Sequence, residues 1–147
     1  MFSSPKVKHF VNSVKFSGDA DNPTIGITFY VTPLTYELAY EISDRIAKQL
    51  FRKEGSLHVP IQELESCDLN LGEIGAQNIE FYPHDADGAD GAGQMIPHCQ
   101  IGKVSVDKLF TDSPDWSLIW HATMPLDSNS LSLAHKYYKK NCFLTLE

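Results

Sequence analysis

Residues 24–55 read TIGITFYVTPLTYELAYEISDRIAKQLFRKEG. Inside this stretch the spacing of the apolar positions changes from a strand period to a helix period. Ile25, Ile27, Phe29 and Val31 alternate with Thr24, Gly26, Thr28, Tyr30 and Thr32. Alternation in β-branched and aromatic residues predicts a strand with one face on a core. Thr32 then suits an N-cap and Pro33 a first helical position, where its missing N–H costs nothing. Leu34, Leu38, Ile42, Ile46 and Leu50 recur at every fourth position, with Ala39 and Ala47 beside them. That spacing predicts one amphipathic helix lying on a sheet. Its other face carries Glu37, Glu41, Asp44, Arg45, Lys48 and Arg52, acid first and base last, as the helix dipole favours. Glu41–Arg45 and Asp44–Lys48 are spaced for ion pairs along it. Gly55 is the expected stop.

Upstream, Val7–Phe16 predicts a strand, with Phe10, Val14 and Phe16 on one face and Val7 and Val11 on the other. The turn cluster SGDADNP, residues 17–23, makes it a hairpin with the first stretch. Downstream, Leu57, Val59 and Ile61 alternate around Pro60, which argues for an edge strand. Further short strands are expected near Cys67–Leu71, Gln77–Tyr82 and Met95–Phe110. Trp116, Leu118, Trp120, Ala122 and Met124 alternate with Ser117, Ile119, His121 and Thr123, predicting a central strand with both tryptophans buried. A second helix follows over Ser128–Lys140, with Asp127 as N-cap and Asn141 as a left-handed C-cap. Cys142–Leu146 is a last strand, expected at an edge. The order predicts a single α+β domain over residues 1–147, a mostly antiparallel sheet with two helices on one face. A ferredoxin-like core with inserted strands fits, as does a strongly bent sheet.

Composition narrows the function classes. The chain has 147 residues, 42% hydrophobic and 21% charged, as ordinary globular domains do. A formal net charge of −7 opposes binding along a phosphate backbone, so nucleic acid is not the expected partner. No apolar run is long enough to span a bilayer, and MFSSPKVKHF lacks the apolar core of a secretory leader. Cys67, Cys99 and Cys142 form no metal or redox motif and read as reduced thiols of a cytoplasmic protein.

Catalytic spacings are not found. The chain has no G-x-S-x-G and no phosphate-cradling glycine motif. His121-Ala-Thr123 has no second copy to bracket a phosphate. The glycine-rich segment Pro83–Gly93 holds His84, Asp85, Asp87 and Asp90, but not at the spacing of a calcium loop, so no metal and no cofactor are expected. The expected function is a small soluble, non-catalytic protein-binding module, of the inhibitor, immunity or phage accessory kind. Its partner is a protein, a basic one by charge. The expected contacts are Tyr30, Tyr36, Tyr40, His84, Asp85, Asp87 and Asp90. Two alternatives accompany it. One is a self-assembling subunit, a homo-oligomer joined through the edges Leu57–Ile61 or Cys142–Leu146. The other is a small metal-dependent hydrolase using His84, His98 and His121.

Overall fold

The structure is a computed structural model in which residues 7–64, 67–69, 76–83, 93–109 and 113–146 are described. The strands are β1 (Val7–Gly18), β2 (Pro23–Leu34), β3 (Phe51–Glu54), β4 (Leu57–Pro60), β5 (Cys67–Leu69), β6 (Gln77–Pro83), β7 (Gln94–Asp107), β8 (Trp116–Pro125) and β9 (Asn141–Leu146). The helices are α1 (Tyr36–Ile42), α2 (Asp44–Leu50) and α3 (Ser128–Tyr137).

Six strands close into a ring in the order β1-β2-β8-β7-β6-β9, with every neighbouring pair antiparallel. The expected α+β sheet with two helices on one face, ferredoxin-like or bent, is therefore corrected to a mostly β fold built on a closed barrel. The closing contact is β7 with β8, which leaves the sheet no open side for helices to cover. β7 supplies it by pairing with β6 along its first half and β8 along its second, turning between them at irregularities. His98 there has φ +57°, and Gly102 lies directly under the His121 ring. β5 pairs with β7 beyond the point where β6 leaves it.

A bulge also explains β1. Val7, His9 and Val11 are buried, whereas Val14 and Phe16 pair with the inward Ile27 and Ile25. The register shift between Val11 and Ser13 moves the inward face from odd to even residues. Val14 and Phe16 thus lie on the same side as Val7 and Val11, and Phe10 lies on the outside. In β8 the expected alternation is found intact: Trp116, Leu118, Trp120, Ala122 and Met124 are all buried.

Aromatic rings fill the barrel. Trp120 stacks on Phe29 with centroids 4.5 Å apart, and His9 meets both edge-on. Phe29 continues to Phe81 and Phe81 to Tyr137 of α3, each at about 6 Å. His9 is fully buried, and its Nδ1 lies 2.9 Å from the Val7 carbonyl. A carbonyl only accepts, so the proton sits on Nδ1. Burial lowers its pKa to about 4, so the ring is neutral at pH 7.

Each mouth of the barrel has its own cover. At one, α3 lies across the opening between β1 and β7, burying Leu133, Ala134 and Tyr137. Asp127 caps it as expected, in a capping box with Ser130. The left-handed residue after it is Lys139, φ +58°, rather than Asn141, which opens β9.

At the other mouth lies an arm of α1, α2 and the β3–β4 hairpin. The single helix expected from Pro33 to Lys53 is corrected here. Pro33 belongs to β2 behind a cis Thr32–Pro33 bond, and Thr35 is the cap, its Oγ1 accepting from the Leu38 amide at 3.2 Å. Ser43 then turns extended and divides α1 from α2. Asp44–Lys48 keeps its pair at 4.0 Å, while Glu41 and Arg45 straddle the break. The arm is latched where the Trp116 indole N–H donates to the Leu50 carbonyl at 2.9 Å. Lys108 Nζ donates to the Ile61 carbonyl at 2.8 Å while lying 4.7 Å from the Trp116 ring centre. Of the two expected edges, β4 pairs with β3 alone among the described residues, but β9 is hydrogen-bonded on both sides, to β1 and β6. Cys142–Leu146 is thus a central strand, which rules it out as a self-assembly edge.

Candidate functional site

The arm gathers aromatic residues at the surface. Tyr36, one residue past the Thr35 cap, projects from the first turn of α1, and Tyr40 follows one turn later on the same face. The β3–β4 hairpin brings His58 flat against Tyr36, with centroids 3.6 Å apart and planes 2° from parallel. Phe51 meets Tyr36 edge-on at 5.8 Å, and Tyr40 lies 6.0 Å away. Tyr36, Phe51 and His58 line a cavity of about 300 Å³ with Pro33, Thr35 and Leu57. Tyr40 is 53% exposed and Leu57 67%. Glu37 and Asp115 also line the cavity, and Glu41 is exposed one residue past Tyr40.

Of the expected contacts, Tyr36 and Tyr40 therefore share one surface. Tyr30 stands apart, on the outer barrel wall in register with Phe10 and Ile119. His84, Asp85, Asp87 and Asp90 lie outside the described residues. His58 and Leu57 escape a linear reading because Gly55 serves as the first residue of a two-residue hairpin turn, φ +63°, and not as a helix stop. The signal was present: Gly-Ser between two short runs of strand character marks such a turn.

Ser56 and His58 line the same cavity, but among the described residues no hydrogen bond joins them. Nor do any three His, Cys, Asp or Glu side chains there group as a metal site. His121 packs on Gly102, four residues past His98 in β7, and the His98 amide donates to Asn78 Oδ1 at 3.3 Å. Burial pushes the Cys99 thiol up to about 11 and the Cys142 thiol to about 12, so neither is a nucleophile at neutral pH. Cys99 Sγ instead donates to the Ile96 carbonyl at 3.4 Å. No helix among the described residues is long and apolar enough to cross a membrane.

No family model, curated protein or solved structure matches the chain.

Proposed function

We propose that the chain is a non-catalytic protein-binding module whose contact surface is the aromatic arm, and that its partner presents a basic segment. The observation that carries this is the Tyr36–His58 stack flanked by exposed Tyr40 and Leu57. Tyrosine anchors held rigid by neighbouring rings lose little side-chain entropy on docking, which is why such residues dominate binding energy at interfaces. The carboxylates Glu37, Glu41 and Asp115 stand around them, and a net charge of −7 steers a cation toward the same protein. Small inhibitors, immunity-type proteins and phage accessory proteins act in this way, by surface occupancy alone. The cytoplasm suits it, since Cys99 and Cys142 are free thiols.

The test compares the tagged chain with a Tyr40→Asp/Leu57→Asp variant and with Lys103→Glu, a control on the barrel wall. The wild type and the control are expected to retrieve the same stoichiometric partner from lysate, in a salt-sensitive manner. The double variant should bind that purified partner at least tenfold more weakly. Absence of a stoichiometric partner, or equal binding by the double variant, defeats the reading.

A further inference from the structure

At the opposite mouth the inner face of the end of β1 is left uncovered at Phe16. Phe16 is in register with Ile25, yet Ile25 is fully buried and Phe16 is 59% exposed. Between Val14 and Phe16 on one side and Leu131, Ala134, His135 and Tyr138 of the α3 segment on the other lies an apolar groove of about 330 Å³. Leu131 and Tyr138 are themselves 46% and 51% exposed. Three large apolar side chains on one groove mark a surface that association would cover.

The groove also has a polarity. α3 runs antiparallel to this part of β1, because the Lys139 amide donates to the Val11 carbonyl while the Leu126 amide donates to the Pro23 carbonyl, beyond the hairpin turn. Lys136, Lys139 and Lys140 therefore crowd one end of the groove, with Lys139 Nζ 3.3 Å from Asn12 Oδ1. Asp19 and Asp21 of the turn, with Asp127 at the start of α3, hold the other end.

We propose that a second copy of this chain occupies the groove, related by a twofold axis perpendicular to it. That rotation reverses the groove's direction and sets each basic end on the partner's acidic end, while each Phe16 fills the partner's apolar groove. An isologous contact requires a surface complementary to itself, and opposite charges at the two ends of an apolar strip meet that requirement. A uniformly acidic or basic rim would instead point to a different partner.

Analytical ultracentrifugation tests this on the full chain up to about 0.5 mM, a range that reaches weak dimers. The wild type is expected to dimerise. Phe16→Glu and, independently, Leu131→Glu should weaken the dimer at least tenfold while circular dichroism and the melting temperature hold. Lys136→Glu/Lys140→Glu makes both ends net acidic, and Ala20→Lys/Asp21→Lys/Asn22→Lys makes both ends net basic. Each should be monomeric alone, and an equimolar mixture should recover a heterodimer, since their ends are again opposite. A wild type that stays monomeric overturns the proposal and leaves the groove for another protein. So does a dimer indifferent to both apolar substitutions, or a swapped pair that fails to associate.

Discussion

The two mouths of the barrel are closed by different physics. α3 is a contiguous ten-residue helix with a capping box at its start, and its buried stripe docks on the barrel with Tyr137 stacked on Phe81. The arm consists of two short helices and a hairpin, none of which would persist alone. It is held to the barrel by long-range polar latches, Trp116 to Leu50 and Lys108 to Ile61, over buried Ala39, Ile46, Ala47 and Leu50. One cover adds a full local capping signal to its packing, and the other rests on what the barrel offers it. The surfaces they present differ in charge pattern as well: carboxylates stand around the arm's rings, whereas the α3 groove has lysines at one end and aspartates at the other.

The sharpest way to break this contrast is at Trp116. It is fully buried, and its N–H holds the Leu50 carbonyl. Trp116→Ala removes the ring and the latch together and is expected to cost about 3–5 kcal/mol in urea unfolding. The arm should also become the first site of proteolytic cleavage. Trp120→Phe in mid-barrel supplies the counterpart. The Trp120 N–H has no hydrogen-bond partner among the described residues, so its loss should cost less than Trp116→Phe. Equal costs for the two Phe variants would mean the latch contributes nothing.

Between the covers, His9 titrates. The unfolded chain takes up a proton near pH 6.5 and the folded chain only near 4. Between those values the unfolded state binds more protons, so stability falls as the pH is lowered through that window and stops falling on this account below it. The loss amounts to about 3 kcal/mol. His9→Leu should flatten that part of the profile, as urea midpoints measured from pH 7 to 4 would show. An unchanged slope would place the acid sensitivity elsewhere.

The same division governs what could be read without coordinates. β2 and β8 are legible because nothing interrupts their alternation, and their alternating residues do line the barrel. α3 is legible because its cap and stripe are local. Closure of the barrel is not, since it depends on the β7–β8 pairing and on irregularities near His98 and Gly102 that leave no periodic trace. The β1 bulge split one face into two in the linear pattern, although the odd positions Val7 and Val11 already put His9 on the inward side. In the arm, a period carried over from Leu34 to Leu50 ran straight through Ser43, where the backbone turns extended. Tyr36 and Tyr40 lie four residues apart on one helix, a neighbourhood the sequence shows, whereas His58 reaches them only through the hairpin.

A smaller effect separates the two covers at their caps. Asp127 Oδ1 accepts from the Ser130 amide at 2.9 Å, and the fully buried Ser130 Oγ accepts from the Asp127 amide at 3.0 Å. Asp127→Ala should cost about 1 kcal/mol, toward the upper end of cap losses if the Ser130 hydroxyl finds no substitute. Thr35 caps α1 through one exposed bond of 3.2 Å, so Thr35→Ala should cost less than Asp127→Ala. The reverse order in paired urea titrations would show that the arm depends on its local signals more than on its latches.

The smallest expected change on stability carries the most functional weight. Leu57 is 67% exposed at the tip of β4, so Leu57→Ser removes little that folding buries and should move the unfolding free energy by less than about 0.5 kcal/mol. If stability stays within that margin while partner binding falls, the side chain is maintained for contact and not for the fold. If Leu57→Ser destabilises by as much as Thr35→Ala, the hairpin tip is instead part of the arm's own packing. The stacked Tyr36–His58 pair would then be its structural floor, and the acidic aromatic surface would lose its claim to be the site of recognition.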